Sequence, residues 1–206
     1  MTVIDRRHLL ALVGASTAAG AFPAAAQAQL PPLEAMLSER SVGPAQAPVT
    51  VIEFFSLTCG HCAAFHADTY PRVKSELVET GKVRIVFQDF PLDPAALAAA
   101  MVARAMPPER YEPFIGTLMR TQAQWARQSF VNDLARIAAL AGMPRATYDA
   151  VLGSQELQRG VLELRFAAEQ RFRIEATPSF VFNNRTPPVS GAIGFERFMR
   201  EAGIGS

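Results

Sequence analysis

Cysteine is nearly absent from this chain, with two in 206 residues, so at most one disulfide can form within it. An excess of charge of either sign is missing too. Twenty Lys and Arg against 19 Asp and Glu leave a formal net charge of +1, and a near-neutral balance excludes nucleic acid as a main partner. Histidine occurs only three times, which leaves few side chains for a metal-ligand set. Internal repeats are absent, and so are low-complexity tracts beyond the first residues. What is plentiful is apolar: 50% of the residues are hydrophobic and 19% charged. That composition supplies the core of one domain, or of one domain carrying a large insertion.

The N-terminus reads as a targeting segment. Arg6-Arg7 form a charged start, and Leu9 to Phe22 is a mildly apolar stretch broken by Gly14, Ser16, Thr17 and Gly20. Ala26-Gln27-Ala28 is a small-x-small cleavage site. Residues 1–28 are therefore expected to be a secretory signal cleaved after about Ala28, too short and too rich in small residues to span a membrane. The adjacent arginines followed by His8-Leu9-Leu10 resemble a twin-arginine signal, with ordinary Sec export or a retained anchor as alternatives. Export places the mature chain, 29–206, in an oxidising compartment.

Both cysteines fall in one tetrad, Cys59-Gly60-His61-Cys62. It follows a strand-like run, Val49 to Phe55, and precedes a helix-like one, Ala63 to Thr80. The pair thus lies where a strand feeds a helix N-terminus, with free N–H donors and the positive end of the helix dipole. A thiolate is stabilised there. Positions i and i+3 lie on one helix face with Cα atoms roughly 5 Å apart, inside the ~4.4–6.8 Å that a disulfide needs. The same turn can hold the pair reduced or oxidised, and Cys-x-x-C between strand and helix is a redox signature. Two other readings stay open: a pair of buried structural cysteines, or a metal site adding His66 to Cys59 and Cys62. Structural zinc wants four ligands, and His61 and Cys62, as sequence neighbours, point apart. No metal is expected.

Glu53 is the one charged residue in the first strand. A carboxylate there is expected beneath the cysteines, where it could accept the proton of Cys62 during exchange; the bland alternative is a strand-end carboxylate reaching solvent. His66 is expected on the exposed face of the helix with no role. Pro71 should kink that helix and Gly81 should cap it. Residues 82–88 alternate as a second strand. From about 94 to 174 the sequence shows alanine-rich helical periodicity and no strand, far more than a crossover between parallel strands needs. Five helices are expected there, over 94–106, 109–121, 130–141, 145–152 and 154–173, with Trp125 and Phe130 in the core. Strands over 176–184 and 189–192 and a helix over 194–202 close the chain. Residues 29–48 read as a short lead-in with one helical turn over 33–37.

Three separated pieces fit one template. Ile52 to Cys62 resembles the active-site segment of the DsbA family of thiol–disulfide oxidoreductases. Thr177-Pro178-Ser179-Phe180 is similar to that family's cis-proline strand, and the helical insert matches its architecture. The resemblance covers essentially all of the mature chain. It implies an α/β, thioredoxin-like fold with an inserted all-helical subdomain. It also implies that Cys59 is the exposed nucleophile, Cys62 its buried partner, His61 a tuner of the thiolate and Glu53 the buried acid. Pro178, in a cis bond after Thr177, would face the disulfide, and Thr177 and Pro178 would bind clients. The expected function is introduction of disulfides into secreted or periplasmic proteins through a redox-active Cys59–Cys62 pair. No cofactor is expected. Expected partners are unfolded or reduced clients and a membrane quinone-linked oxidase of the DsbB type, and the expected state is a monomer. A reductase or isomerase of the same fold is the near alternative, and a non-catalytic metal-carrying module a remote one. One departure is Gly60, which replaces the proline of the well-known enterobacterial member. It gives Cys-Gly-His-Cys as in eukaryotic protein disulfide isomerases, and the two middle residues tune redox potential.

Overall fold

The computed structural model describes residues 30–205; the expected signal segment, 1–28, lies outside the described residues. After the short helix α1 (Leu33–Leu37) comes β1 (Arg40–Val42), then the strand β2 (Val49–Phe55). The turn after β2 opens α2 (Gly60–Asp68), which breaks at Thr69 and resumes as α3 (Tyr70–Arg72). Pro71 sits in the first turn of α3, where a missing N–H leaves no bond unmade. A π-helical turn follows (Val73–Val78) and leads, through Gly81 at φ 77°, into β3 (Val83–Asp89).

The sheet has five strands in the order β1-β3-β2-β4-β5 once β4 (Ser179–Phe182) and β5 (Val189–Ser190) are added. β2 and β3 run parallel with Val51 opposite Ile85 and Glu53 opposite Phe87. β4 lies antiparallel on the other side of β2, with Phe180 opposite Glu53. β2 is therefore central, which is why its sequence is apolar on both faces. β1, antiparallel to β3, falls within the lead-in that carried no strand signal. Helix α10 (Phe195–Ala202) ends the described chain, with Phe195 and Phe198 turned inward.

Between β3 and β4 the chain is helical throughout: α4 (Pro94–Ala105), α5 (Pro108–Arg120), α6 (Gln122–Trp125), α7 (Phe130–Leu140), α8 (Arg145–Gly153) and α9 (Gln155–Phe172). Each of the five expected helices is present within a residue or two, and α6 is additional. α4 is buried along most of its length, and its alanines let neighbouring helices approach closely. Trp125 is fully buried and donates its Nε1–H to the Leu118 carbonyl at 2.8 Å. Phe130 packs at the margin of the same core. A Cβ at Gly160 would run into the Leu37 side chain, which here packs against the bare backbone of α9.

A buried polar network joins this insert to the sheet. Arg104 of α4 donates to Asp89 at the end of β3 at 2.6 Å, both side chains being 2% exposed. The Tyr111 hydroxyl reaches both Asp89 oxygens at 3.0 Å. Arg104 also donates to the Met36 carbonyl, and Arg40 of β1 donates to the Arg104 carbonyl, both at 3.1 Å. These bonds hold α1 and β1 in place. Among the described residues no helix is long and apolar enough to cross a membrane.

Candidate active site

The site is built on the turn after the central strand. Phe55 ends β2, and its carbonyl accepts the Phe90 N–H at 2.7 Å, so β2 and β3 finish together. The Cys59 N–H donates to the Ser56 carbonyl at 3.1 Å, and Cys59 serves as N-cap of α2 with extended backbone. Two contacts from the helical insert pin this turn. The Thr58 hydroxyl donates to Asp93 Oδ2 at 2.5 Å, while Asp93 Oδ1 caps α4 through the Ala96 N–H at 2.8 Å. Gln122 Nε2 donates to the Leu57 carbonyl at 2.8 Å. The Asp93-Pro94 helix start is visible in sequence; that its carboxylate also holds Thr58 is not.

The two sulfurs, both free thiols, differ sharply. Cys59 is half-buried and Cys62 fully buried. Cys59 Sγ lies 3.3 Å from the Thr177 carbonyl oxygen. The Cys62 thiol donates to Cys59 and does most to hold its pKa down, to about 5, against the opposing effect of partial burial. The backbone N–H groups of Cys62 and His61 add to the lowering. Cys62 moves the other way. Burial pushes its thiol far above the usual range, its bond to Cys59 adds to this, and the negative charges of Cys59 and Glu53 oppose its ionisation further.

His61 is exposed, and it is its backbone N–H that acts on Cys59. Thr177 and Pro178 precede β4 and are buried, and the bond between them is cis. The Pro178 carbonyl accepts the Gly191 N–H at 2.8 Å, so the loop before β4 is held to the chain after β5. Glu53, with no exposed surface, sits in mid-β2 beneath α2.

His66 corrects the sequence reading. It was expected on the exposed face; it is buried, and its Nε2 lies 2.8 Å from Glu53 Oε1. The physical reason is spacing. His66 follows Cys62 by four residues, hence shares its helix face, and that face turns toward the sheet. The buried carboxylate supplies the partner a polar ring needs there. The i+4 relation to a buried cysteine was the available signal. His66 is thus directed at Glu53 and not into a shared ligand set with the cysteines. Among the described residues no group of three or more His, Cys, Asp or Glu side chains is arranged to hold a metal ion.

Fold and site together define a thioredoxin-type domain interrupted by helices, with its cysteine pair at the end of the central strand. The family model described as Thioredoxin matches residues 36–199. The crystal structure of Wolbachia pipientis alpha-DsbA1 superposes with a TM-score of 0.74 at 26% identity, covering 81% of this chain and 89% of that one. BdbD from Bacillus subtilis shares the fold, with a TM-score of 0.71 at 19% identity over 85% of this chain and 95% of that one. A Rickettsia prowazekii (strain Madrid E) relative, provisionally named a protein-disulfide oxidoreductase, is 28% identical over 144 residues, 69% of this chain and 53% of the relative. Disulfide bond formation protein D of Bacillus subtilis (strain 168) is 24% identical over 152 residues, 70% of this chain and 67% of that protein. The chain belongs to the thioredoxin family, in its DsbA-like branch. It spans about half the length of the curated Rickettsia relatives it matches, 53% for the R. prowazekii protein.

Proposed function

We propose that this protein is an exported thiol–disulfide oxidoreductase that introduces disulfides into secreted or periplasmic clients through Cys59 and Cys62. The observation that carries the reading is the inequality of the two sulfurs: one reachable and acidic, the other buried and reluctant to ionise. The names of the Rickettsia and Bacillus relatives support it.

In the oxidised protein a client thiolate attacks Cys59 Sγ, and the Cys59–Cys62 bond breaks. Cys62 leaves as a thiolate and takes a proton, for which Glu53 is the buried source. The client's second thiolate then attacks its own sulfur in the mixed disulfide. Cys59 departs as the stabilised thiolate, leaving the client oxidised and both protein sulfurs reduced. Cys59 is a good leaving group because its thiolate is held by Cys62 and by the N–H groups at the start of α2. The Thr177 carbonyl beside Cys59 lies next to the strand-like segment along which a client chain would pair, with Pro178 at its start. Leu92, half exposed on the loop whose Asp93 holds Thr58, offers apolar surface nearby. The working form is a monomer in the periplasm after loss of residues 1–28, reoxidised by a membrane quinone-linked DsbB-type oxidase.

Single-cysteine trapping tests this. Cys62→Ala, loaded at Cys59 as its glutathione mixed disulfide, should exchange glutathione for a thiol of a reduced, unfolded client and accumulate the client adduct, and Cys59→Ala treated in the same way should not. Equal trapping by both variants, or by neither, overturns the assignment.

A further inference from the structure

Glu53 presents an unusual imbalance. One oxygen, Oε1, is bonded to His66 at 2.8 Å, whereas Oε2 is buried and has no hydrogen-bond partner among the described residues. An unpartnered buried acceptor carries a desolvation penalty of roughly 1–3 kcal/mol, more if charged, and such groups are scarce in native proteins. The imbalance falls where the reaction needs a proton. Cys62 and His66 stand one turn apart on the same face of α2, above Glu53, and the Glu53 charge acts on Cys62. The ring of His66 has little freedom. Tyr70 stacks on it at 4.8 Å between centroids and 29° between planes, and Phe65 meets it edge-on at 5.8 Å. The Tyr70 hydroxyl is fixed by Glu112, which Lys74 in turn clamps at 2.9 Å.

We infer that His66 is a positioning residue for disulfide exchange: its Nε2–H donates to Glu53 Oε1 and so keeps Oε2 free to carry the proton that Cys62 gains and loses. The inference rests on the proposed oxidoreductase reading and assigns that reading's buried acid a partner. The proton balance is explicit. When Cys62 resolves a mixed disulfide at Cys59, its S–H proton passes to Glu53 Oε2, giving the carboxylic acid. The Cys62 thiolate attacks Cys59 Sγ, the intramolecular disulfide forms, and the small thiol leaves as its thiolate. In the oxidising direction Glu53 returns the proton to the departing Cys62. The imidazole keeps its Nε2–H throughout, so it orients the acid and is not consumed.

The groups around the pair are few. From α2 comes Cys62, from α3 Tyr70, and beyond the Tyr70 hydroxyl lie Glu112 of α5 and Lys74 of the π turn. The residues opposite Glu53 on β3 and β4 are Phe87 and Phe180.

The test is single-turnover oxidation of the reduced full-length mature protein by oxidised glutathione, quenched with acid and read by mass. It separates formation of the Cys59–glutathione adduct from its resolution by Cys62. His66→Leu should form the adduct at the wild-type rate. It should resolve it roughly tenfold slower, part of the ~10²–10⁴ that positioned acid–base groups contribute, with a displaced pH profile. His66→Gln, which retains an N–H donor, should restore most of the rate. In a Glu53→Gln background, His66→Leu should slow resolution no further. That cycle keeps the inference falsifiable if His66→Leu alone packs poorly. Wild-type resolution rates and pH profile in His66→Leu, or additive losses in the cycle, overturn the inference while leaving the oxidoreductase reading intact. Failure of the wild-type protein to form any adduct overturns both.

Discussion

Cys59 and Cys62 are separated by two residues, yet their acidities diverge: the hydrogen bond between them lowers the pKa of Cys59 and raises that of Cys62, while burial raises both. An ordinary thiol of pKa ~8.5 is less than about 1% ionised at pH 6, whereas Cys59, held at about 5, is mostly thiolate. Its intrinsic nucleophilicity falls with its pKa at a Brønsted slope of about 0.4–0.5, which returns part of the gain. In the reduced protein, iodoacetamide at pH 6 should label Cys59 at least tenfold faster than Cys62, and the Cys59 rate should fall as pH drops through about 5. Peptide mass mapping reads both sites; equal rates contradict the assignment. Gly60 between them is not demanded by packing, since nothing lies within 4 Å of where its Cβ would sit. The described structure therefore leaves room for a side chain at this position, which could tune the pair.

Among the elements, legibility followed the length and apolar content of each segment. β2 was readable because seven residues, apolar on both faces and rich in β-branched and aromatic side chains, read as a buried strand, and Glu53 stood out for breaking that pattern. β1 was not, because three residues with a buried Arg40 give no alternation; its place depends on Arg40 meeting carbonyls that come from α1 and α4. His66 was misplaced for a related reason. A polar ring on a helix reads as solvent-facing until its partner is known, and Glu53 lies thirteen residues earlier on another element. Likewise the tie from Asp93 to Thr58 crosses thirty-five residues. Local patterns reveal elements, whereas buried polar pairs appear only after the elements meet. The Asp89–Arg104 pair is one of these, and its loss should be felt by the whole fold. Asp89→Ala leaves a buried guanidinium and the Tyr111 hydroxyl without their acceptor and should lower stability by about 3–5 kcal/mol. Urea unfolding of the mature protein measures this, and a loss under about 1 kcal/mol, the size of a surface pair, would contradict it.

For the molecule as a whole, the acidity of Cys59 couples redox state to stability, because only the reduced protein has a thiolate to stabilise. The Cys59 pKa is depressed on folding to about 5 from an unfolded value near ~8.5. This contribution is complete above the unfolded value and fades as pH falls through the folded one. At pH 7 about two pH units count, an upper bound of roughly 2.7 kcal/mol, which solvent screening at a half-open site reduces to about 1–2 kcal/mol. Against it stands the disulfide, whose four-residue loop contributes at or below the low end of the usual ~2–4 kcal/mol. The most direct measurement is thermal unfolding of the oxidised and reduced mature protein at pH 7 and at pH 4. Groups common to both forms largely cancel in the difference. The reduced form should melt close to the oxidised form at pH 7, where the thiolate offsets most of the disulfide's contribution, and should fall clearly behind it at pH 4. An oxidised form clearly more stable at pH 7 would contradict the oxidant reading and favour the reductase alternative.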